Sequence, residues 1–69
     1  MAIRWFKFND EHGSLVNLED VECVQPHGFQ LSFEIRLKMK NGNKHIVCYK
    51  AEEKDNFEED VARLRNLLL

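Results

Sequence analysis

The chain is poor in glycine, which builds phosphate-binding loops, and it lacks the long apolar runs that span membranes. Its 69 residues include three glycines and one proline, and so few glycines leave a nucleotide pocket little backbone to work with. The sequence lacks an apolar run near 18 residues, the length that crosses a bilayer, and it lacks a basic-then-apolar leader. We therefore expect a soluble, cytoplasmic protein, with residues 1–69 forming one small domain near the lower size limit for a single core.

The potential metal ligands are few and poorly spaced. Cys23-x3-His27 and His45-x2-Cys48 resemble zinc-ligand spacings. In a regular strand, however, residues three apart face opposite sides, so His45 and Cys48 cannot share an ion without a kink. The soft or borderline ligands of the chain are His12, Cys23, His27, His45 and Cys48. We expect no metal and no cofactor, and two free thiols rather than a disulfide, because a secretion signal is lacking.

No group of residues predicts catalysis. The acidic side chains fall in turns and at the start of a predicted C-terminal helix, where a solvated surface favoured by the helix dipole explains them. No Ser-His-Asp or Cys-His arrangement can be argued from the spacing. We expect a protein that is not an enzyme.

Charge is unevenly distributed along the chain, although the net charge is only −2. Residues 9–22 carry −5 and residues 51–60 carry −5, whereas residues 30–50 carry +4. The basic character is therefore concentrated in the centre of the sequence.

The clearest structural signal is a strict alternation of apolar and polar residues over 29–40. Successive side chains of a strand point to opposite faces, so this pattern predicts a long strand with one face in the core. Asn41-Gly42 then predicts a tight hairpin turn, and a second strand follows over 44–50. The apolar members of the alternation are Phe29, Leu31, Phe33, Ile35, Leu37 and Met39.

Two registers are open for this hairpin. A two-residue loop places Ile46 and Cys48 on the core face, whereas a three-residue loop with a bulge at Gly42 places Val47 and Tyr49 there. We favour the second register because it buries the larger apolar pair. Its cross-strand pairs are Leu37–His45, Ile35–Val47 and Phe33–Tyr49.

Three shorter strands are predicted before the hairpin, over 2–8, 14–18 and 21–25. Turn formers separate the first two, and Pro26 and Gly28 are expected to end the third. The first strand has apolar residues on both faces. It is therefore either covered on both sides or shows aromatic surface to a partner.

Residues 52–68 predict a C-terminal amphipathic helix. Phe57, Val61, Leu64 and Leu68 recur at helical spacing. We expect this helix to pack on one face of a four- to five-stranded, mainly antiparallel sheet, with Phe57 as its deepest contact. The predicted fold class is α+β.

Protein interaction is the function that these features favour. The predicted core is small, and aromatic strand faces and exposed strand edges are places where partners add. We expect a small non-enzymatic protein-interaction module, with a homodimer as one form of that interaction. The expected contact residues are Trp5, Phe6 and Phe8. No motif in the chain is diagnostic of a family.

Nucleic-acid binding is the alternative. Phosphate contacts need cations, and four cations of the predicted hairpin lie on or beside its polar face: Arg36, Lys38, Lys40 and Lys44. The overall acidic charge speaks against this function, since net charge is the first test for a nucleic-acid binder. Lysines also keep sheet edges from aggregating, so an ordinary solvated sheet would carry them too.

Overall fold

Five strands and one helix make up the described part of the chain. The computed structural model describes the backbone of residues 4–68 and the side chains of residues 4–67; the predicted start of the first strand, at residue 2, lies outside this range. The elements are β1 (Trp5–Lys7), β2 (Leu15–Asn17), β3 (Val21–Gly28), β4 (Ser32–Met39), β5 (Lys44–Lys50) and α1 (Lys54–Leu68), with 3-10 turns at Leu18–Asp20 and Ala51–Glu53. The protein is therefore α+β, as the sequence predicts.

The strands form two antiparallel sheets rather than one. β1 pairs with β2, and β3, β4 and β5 form a second sheet in that order, so the prediction of one four- to five-stranded sheet is wrong. The 3-10 turn after β2 explains the division, because it redirects the chain before β3 begins. The Asn17 side chain holds this turn by accepting the backbone N–H groups of Glu19 and Arg4, each at 3.1 Å.

β4 and β5 form the predicted hairpin in the favoured register. Gly42 closes the three-residue loop with a φ of +91°, a left-handed conformation that glycine adopts without a Cβ clash. Val47 and Tyr49 are buried as a result, whereas Ile46 and Cys48 are exposed. The observed pairs include Phe33–Tyr49, Ile35–Val47 and Leu37–His45.

β3 is longer and β4 is shorter than predicted. Pro26 does not end β3, which continues to Gly28 and stays paired with β4. Pro26 is tolerated because β3 lies at the edge of its sheet, where a missing N–H need not be paired. The turn instead falls between Gly28 and β4, so Phe29 and Leu31 are exposed in the turn and do not lie on the core face of a strand.

The helix packs on the inner face of the three-stranded sheet, chiefly against β4 and β5. Leu64 is buried whereas Phe57 is half-buried, so the prediction that Phe57 is the deepest contact is wrong. The Phe57 ring lies against two aromatic rings of the sheet, with centroid distances of 4.9 Å to Phe33 and 5.5 Å to Tyr49. Leu68, the last member of the predicted stripe, has its side chain outside the described range.

The core lies between the three-stranded sheet on one side and the helix with the β1–β2 hairpin on the other. Each of the five strands and the helix contributes to the core, either directly or through a flanking residue; β3 contributes Val21. Its buried apolar residues are Phe6, Phe8, Val16, Leu18, Val21, Ile35, Leu37, Val47, Tyr49 and Leu64. No helix within residues 4–68 is long and apolar enough to cross a membrane.

Candidate protein-interaction site

Of the three aromatic residues predicted as contacts, one lies at the surface. Trp5 is 63% exposed, whereas Phe6 and Phe8 are 2% and 1% exposed. Phe6 and Phe8 point into the core together, with ring centroids 4.7 Å apart in an edge-on contact. The Arg63 guanidinium of α1 covers Phe6 at 4.3 Å from its ring centroid and donates to the Lys7 carbonyl at 3.3 Å. The helix thus covers this face of β1 and leaves Trp5 on the other.

Trp5 lies beside Leu15 on the outer face of the β1–β2 hairpin. Trp5 pairs with Asn17 and Leu15 pairs with Lys7, so the two apolar side chains are diagonal neighbours across the strands. Leu15 is 58% exposed. These two residues are the Trp5–Leu15 patch. The sequence pattern points to Trp5 but not to Leu15, whose exposure depends on which face of the short strand meets the core.

A depression of about 500 Å³ runs from the patch to the β4–β5 turn. Its far side includes Asn41, Asn43, Lys44 and His45. Asp20 lines it as well, so the surface beside the patch carries both signs of charge. A depression with an aromatic wall and a few polar groups can accept an apolar side chain from a partner.

The four cations of the nucleic-acid alternative are exposed but do not form one row. Arg36 and Lys38 project from the outer face of β4, and Lys44 lies opposite Lys38 on β5. Lys40 lies in the turn. Arg36 forms an ion pair with Glu34 of the same strand, which reduces the charge that it offers to a phosphate. The strand positions of this face, within residues 21–50, hold no Phe, Tyr or Trp on which a base could stack.

The potential metal ligands are spread over the sheet and its turns. Cys23 lies on β3 opposite Lys38, and Cys48 lies on β5 opposite Glu34, so the two free thiols occupy opposite edge strands. Strands are about 4.8 Å apart and residues rise about 3.3 Å along a strand, which puts these Cα atoms well beyond the roughly 7 Å limit for a disulfide. In the part of the chain that the structure describes, no three His, Cys, Asp or Glu side chains are placed to hold a metal ion. The buried Nε2 of His27 has no hydrogen-bond partner there.

The buried carboxylate of Asp60 is a feature that the sequence pattern does not reveal. Its Oδ2 accepts the backbone N–H of Asn9 at 2.7 Å and the hydroxyl of Tyr49 at 2.6 Å, and its Oδ1 accepts the side-chain amide of Asn9 at 2.9 Å. Arg63 adds a longer contact to Oδ1 at 3.4 Å. Asp60 lies four residues before Leu64, so helical spacing places it on the apolar face. The acidic residues around it hide this signal.

The Asp60 network is structural. Burial, and then the hydrogen bond to Asp60, raise the pKa of Tyr49 well above its usual value, so the phenol stays protonated and acts as a donor. The network joins α1 to β5 and to the segment after β1. Asp60 therefore fixes the helix on the sheet, where an unpaired buried carboxylate would be strongly unfavourable.

The Trp5–Leu15 patch is the candidate site that the described residues support best. It combines exposed aromatic and aliphatic side chains with an adjoining depression that carries both signs of charge. The chain matches no protein-family model, no curated protein and no solved structure.

Proposed function

We propose that this protein is a non-enzymatic protein-interaction module and that its contact site is the Trp5–Leu15 patch. The observation that carries the proposal is the exposure of Trp5 next to Leu15 on a folded surface. Tryptophan is among the residues that most often dominate binding energy at protein interfaces. Burying apolar surface contributes about 25 cal/mol for each Å² removed from water, so a partner that covers the pair gains affinity.

The fold does not explain why Trp5 is a tryptophan. The inner face of the β1–β2 hairpin is filled by Phe6, Phe8 and Val16, and Trp5 takes no part in the core. Most of the Trp5 surface faces solvent. The indole therefore supports a role in contact with another molecule.

The partner that we propose for the patch is a second copy of the chain. A two-fold contact brings the same surface of both copies together, so that surface must be self-complementary. Lys7 and Lys44 lie near the patch, and so does Asp20. A two-fold axis through the patch can set a cation of one copy against the acid of the other, with the apolar pair between them.

Nucleic acid is the competing partner. It would use Arg36, Lys38, Lys40 and Lys44, with Trp5 as a stacking platform beside Lys44. The net charge of −2 and the engagement of Arg36 by Glu34 count against it. Phosphate binding weakens steeply as salt rises, whereas an apolar contact does not, so salt distinguishes the two.

Sedimentation equilibrium of the wild type and two matched variants tests the proposal. Trp5→Ser removes the anchor, and Phe29→Ser removes an exposed aromatic side chain outside the patch. We expect wild type and Phe29→Ser to rise from one chain toward two between micromolar and millimolar concentration, while Trp5→Ser stays monomeric. Trp5 is 63% exposed and Phe29 is 48% exposed, and neither belongs to the buried core, so both variants should fold, which urea melts check.

Two outcomes contradict the proposal. A wild-type protein that keeps the mass of one chain at every concentration overturns self-association through the Trp5–Leu15 patch. A mass that rises only on addition of a short oligonucleotide, and falls back as salt is added, replaces it with nucleic-acid binding.

A further inference from the structure

β3 offers a lightly protected edge of the three-stranded sheet. β4 lies between β3 and β5, and no strand of the described residues pairs with the far side of β3. The other edge strand, β5, begins and ends with Lys44 and Lys50, and edge lysines oppose the addition of a further strand. β3 has no lysine or arginine, although Glu22 and Pro26 interrupt it.

The hydrogen-bonding pattern indicates which backbone groups of this edge face outward. The Phe29 N–H donates to the Ser32 carbonyl at 2.8 Å, so these residues form a hydrogen-bonded pair at the end of the β3–β4 ladder. Bonded and non-bonded pairs alternate in an antiparallel ladder, which turns the N–H and C=O groups of Val24 and Gly28 away from β4. Pro26, between them, presents only its carbonyl. An added strand could therefore both donate to and accept from this edge.

A mainly apolar groove of about 590 Å³ runs along the inner side of the edge. Val21, Val24 and Pro26 line it from β3, and Val61 and Leu64 line it from α1. Glu22, Cys23 and Arg65 complete the lining. The groove stays open because the helix packs chiefly over β4 and β5. Inward side chains of an added strand would enter this groove, so they should be apolar.

The outer side of the same edge is basic. A depression of about 280 Å³ joins Gln25 of β3 to Arg36, Lys38 and Lys44. No acidic residue lines it, and Lys38 and Lys44 form no ion pair within the described side chains. Outward side chains of an added strand should therefore be acidic.

We propose that the β3 edge binds an extended peptide of another protein whose side chains alternate between apolar and acidic residues. Main-chain hydrogen bonds to Val24 and Gly28 hold the peptide, and the alternating side chains provide specificity. A second copy of β3 does not fit, because it would bring Cys23, Gln25 and His27 to the basic side. The inference rests on the proposed protein-interaction function but uses a different surface from the one proposed for self-association.

An amide NMR titration of nitrogen-labelled protein tests the proposal. The probe is acetyl-Val-Glu-Val-Glu-Val-Glu-Val-amide at low salt, and its control is the same peptide with Lys in place of Glu. We expect shifts at Val24, Gly28 and Val61 with the Glu peptide, weaker binding as salt rises, and no comparable shifts with the Lys peptide. No shifts up to the solubility limit, or equal binding of both peptides, overturns the proposal. An oligonucleotide that shifts Lys38 and Lys44 while the Glu peptide shifts nothing assigns the basic side to nucleic acid instead.

Three variants make the test specific to the backbone edge. Val24→Pro removes an outward N–H, and Val24→Ala is its control because it shortens the same side chain but keeps the N–H. Pro26→Val adds an outward N–H. One hydrogen bond is worth about fivefold in affinity, so Val24→Pro should bind about fivefold more weakly than Val24→Ala, and Pro26→Val about fivefold more tightly than wild type.

Equal affinities across these variants overturn strand addition at β3. The sedimentation result is independent of this one. Self-association without peptide binding contradicts only the proposed β3 site. Peptide binding by a monomer contradicts only the proposed Trp5 dimer. A protein that neither self-associates nor binds the peptide contradicts the proposed interaction function as well.

Discussion

The hydrogen bond between Tyr49 and Asp60 should stabilise the fold by a measurable amount. The hydroxyl donates to the carboxylate at 2.6 Å, and both residues are buried. Tyr49→Phe deletes the hydroxyl and little volume, and Asp60 keeps its two hydrogen bonds from Asn9. Hydrogen bonds to charged groups are worth about 1.5–3 kcal/mol. We expect a loss of about 2 kcal/mol, a large share of the stability of so small a domain.

The same bond gives stability a defined pH dependence. The pKa of Tyr49 is raised by burial and by Asp60, whereas an unfolded tyrosine titrates near pH 10. Above that pH the unfolded state binds fewer protons than the folded state, so stability falls by about 1.4 kcal/mol per pH unit. Tyr49→Phe lacks this group, so the advantage of wild type over the variant should be constant between about pH 7 and pH 9 and shrink above about pH 10.

Urea unfolding by circular dichroism, at pH 7 and through the alkaline range, measures both effects. Asp60→Asn and the double variant complete a double-mutant cycle, in which a coupling energy of about 1 kcal/mol or more is expected for groups in contact. The chain has a single tyrosine, so tyrosinate absorbance reports Tyr49 alone. In the folded protein this absorbance should appear only at a higher pH than in the protein unfolded by urea. Superimposable melts of wild type and Tyr49→Phe at pH 7, or tyrosinate forming near pH 10 in the folded state, would refute this account.

Three further outcomes can be measured on the same protein. Leu64→Ala should destabilise by about 2–5 kcal/mol, and Phe57→Ala by less than the roughly 3–5 kcal/mol of a fully buried phenylalanine. Urea melts in which Phe57→Ala loses about 5 kcal/mol, or Leu64→Ala loses almost nothing, would contradict the packing. Gly42→Ala should lose about 1–2 kcal/mol, since no atom of the described residues lies within 4 Å of a Cβ placed there and the cost is the positive φ alone; an unchanged melt would argue against the three-residue loop. Cys23 and Cys48 are exposed, so both thiols should react with a chromogenic disulfide without denaturant, and a count below two would contradict that exposure.

The hairpin could be predicted because its signals are local. Alternation shows which residues of one strand share a face, and the preference for burying Val47 and Tyr49 over Ile46 and Cys48 selects the register. The ends of the strands could not be placed in the same way. Alternation continues through Phe29 into the turn, and Pro26 is acceptable only because β3 is an edge strand, which depends on the order of strands in space.

Part of the candidate site also depended on information beyond local pattern. Trp5 and Phe6 are neighbours in a short strand, and the pattern alone shows that they face opposite sides but not which side the helix covers. The helix covers Phe6 through Arg63, and this leaves Trp5 outside. Asp60 illustrates the same limit, since its partner Tyr49 lies on another element and only the packed structure brings them together.

The fluorescence of Trp5 across a dilution series tests the proposed contact most directly, because the chain has a single tryptophan. An exposed indole emits at long wavelength and is readily quenched by acrylamide. We expect that raising the protein concentration from micromolar to millimolar shifts the emission to shorter wavelength and lowers the quenching by acrylamide, because a second copy then covers Trp5. An emission maximum and a quenching constant that do not change over that range would contradict it.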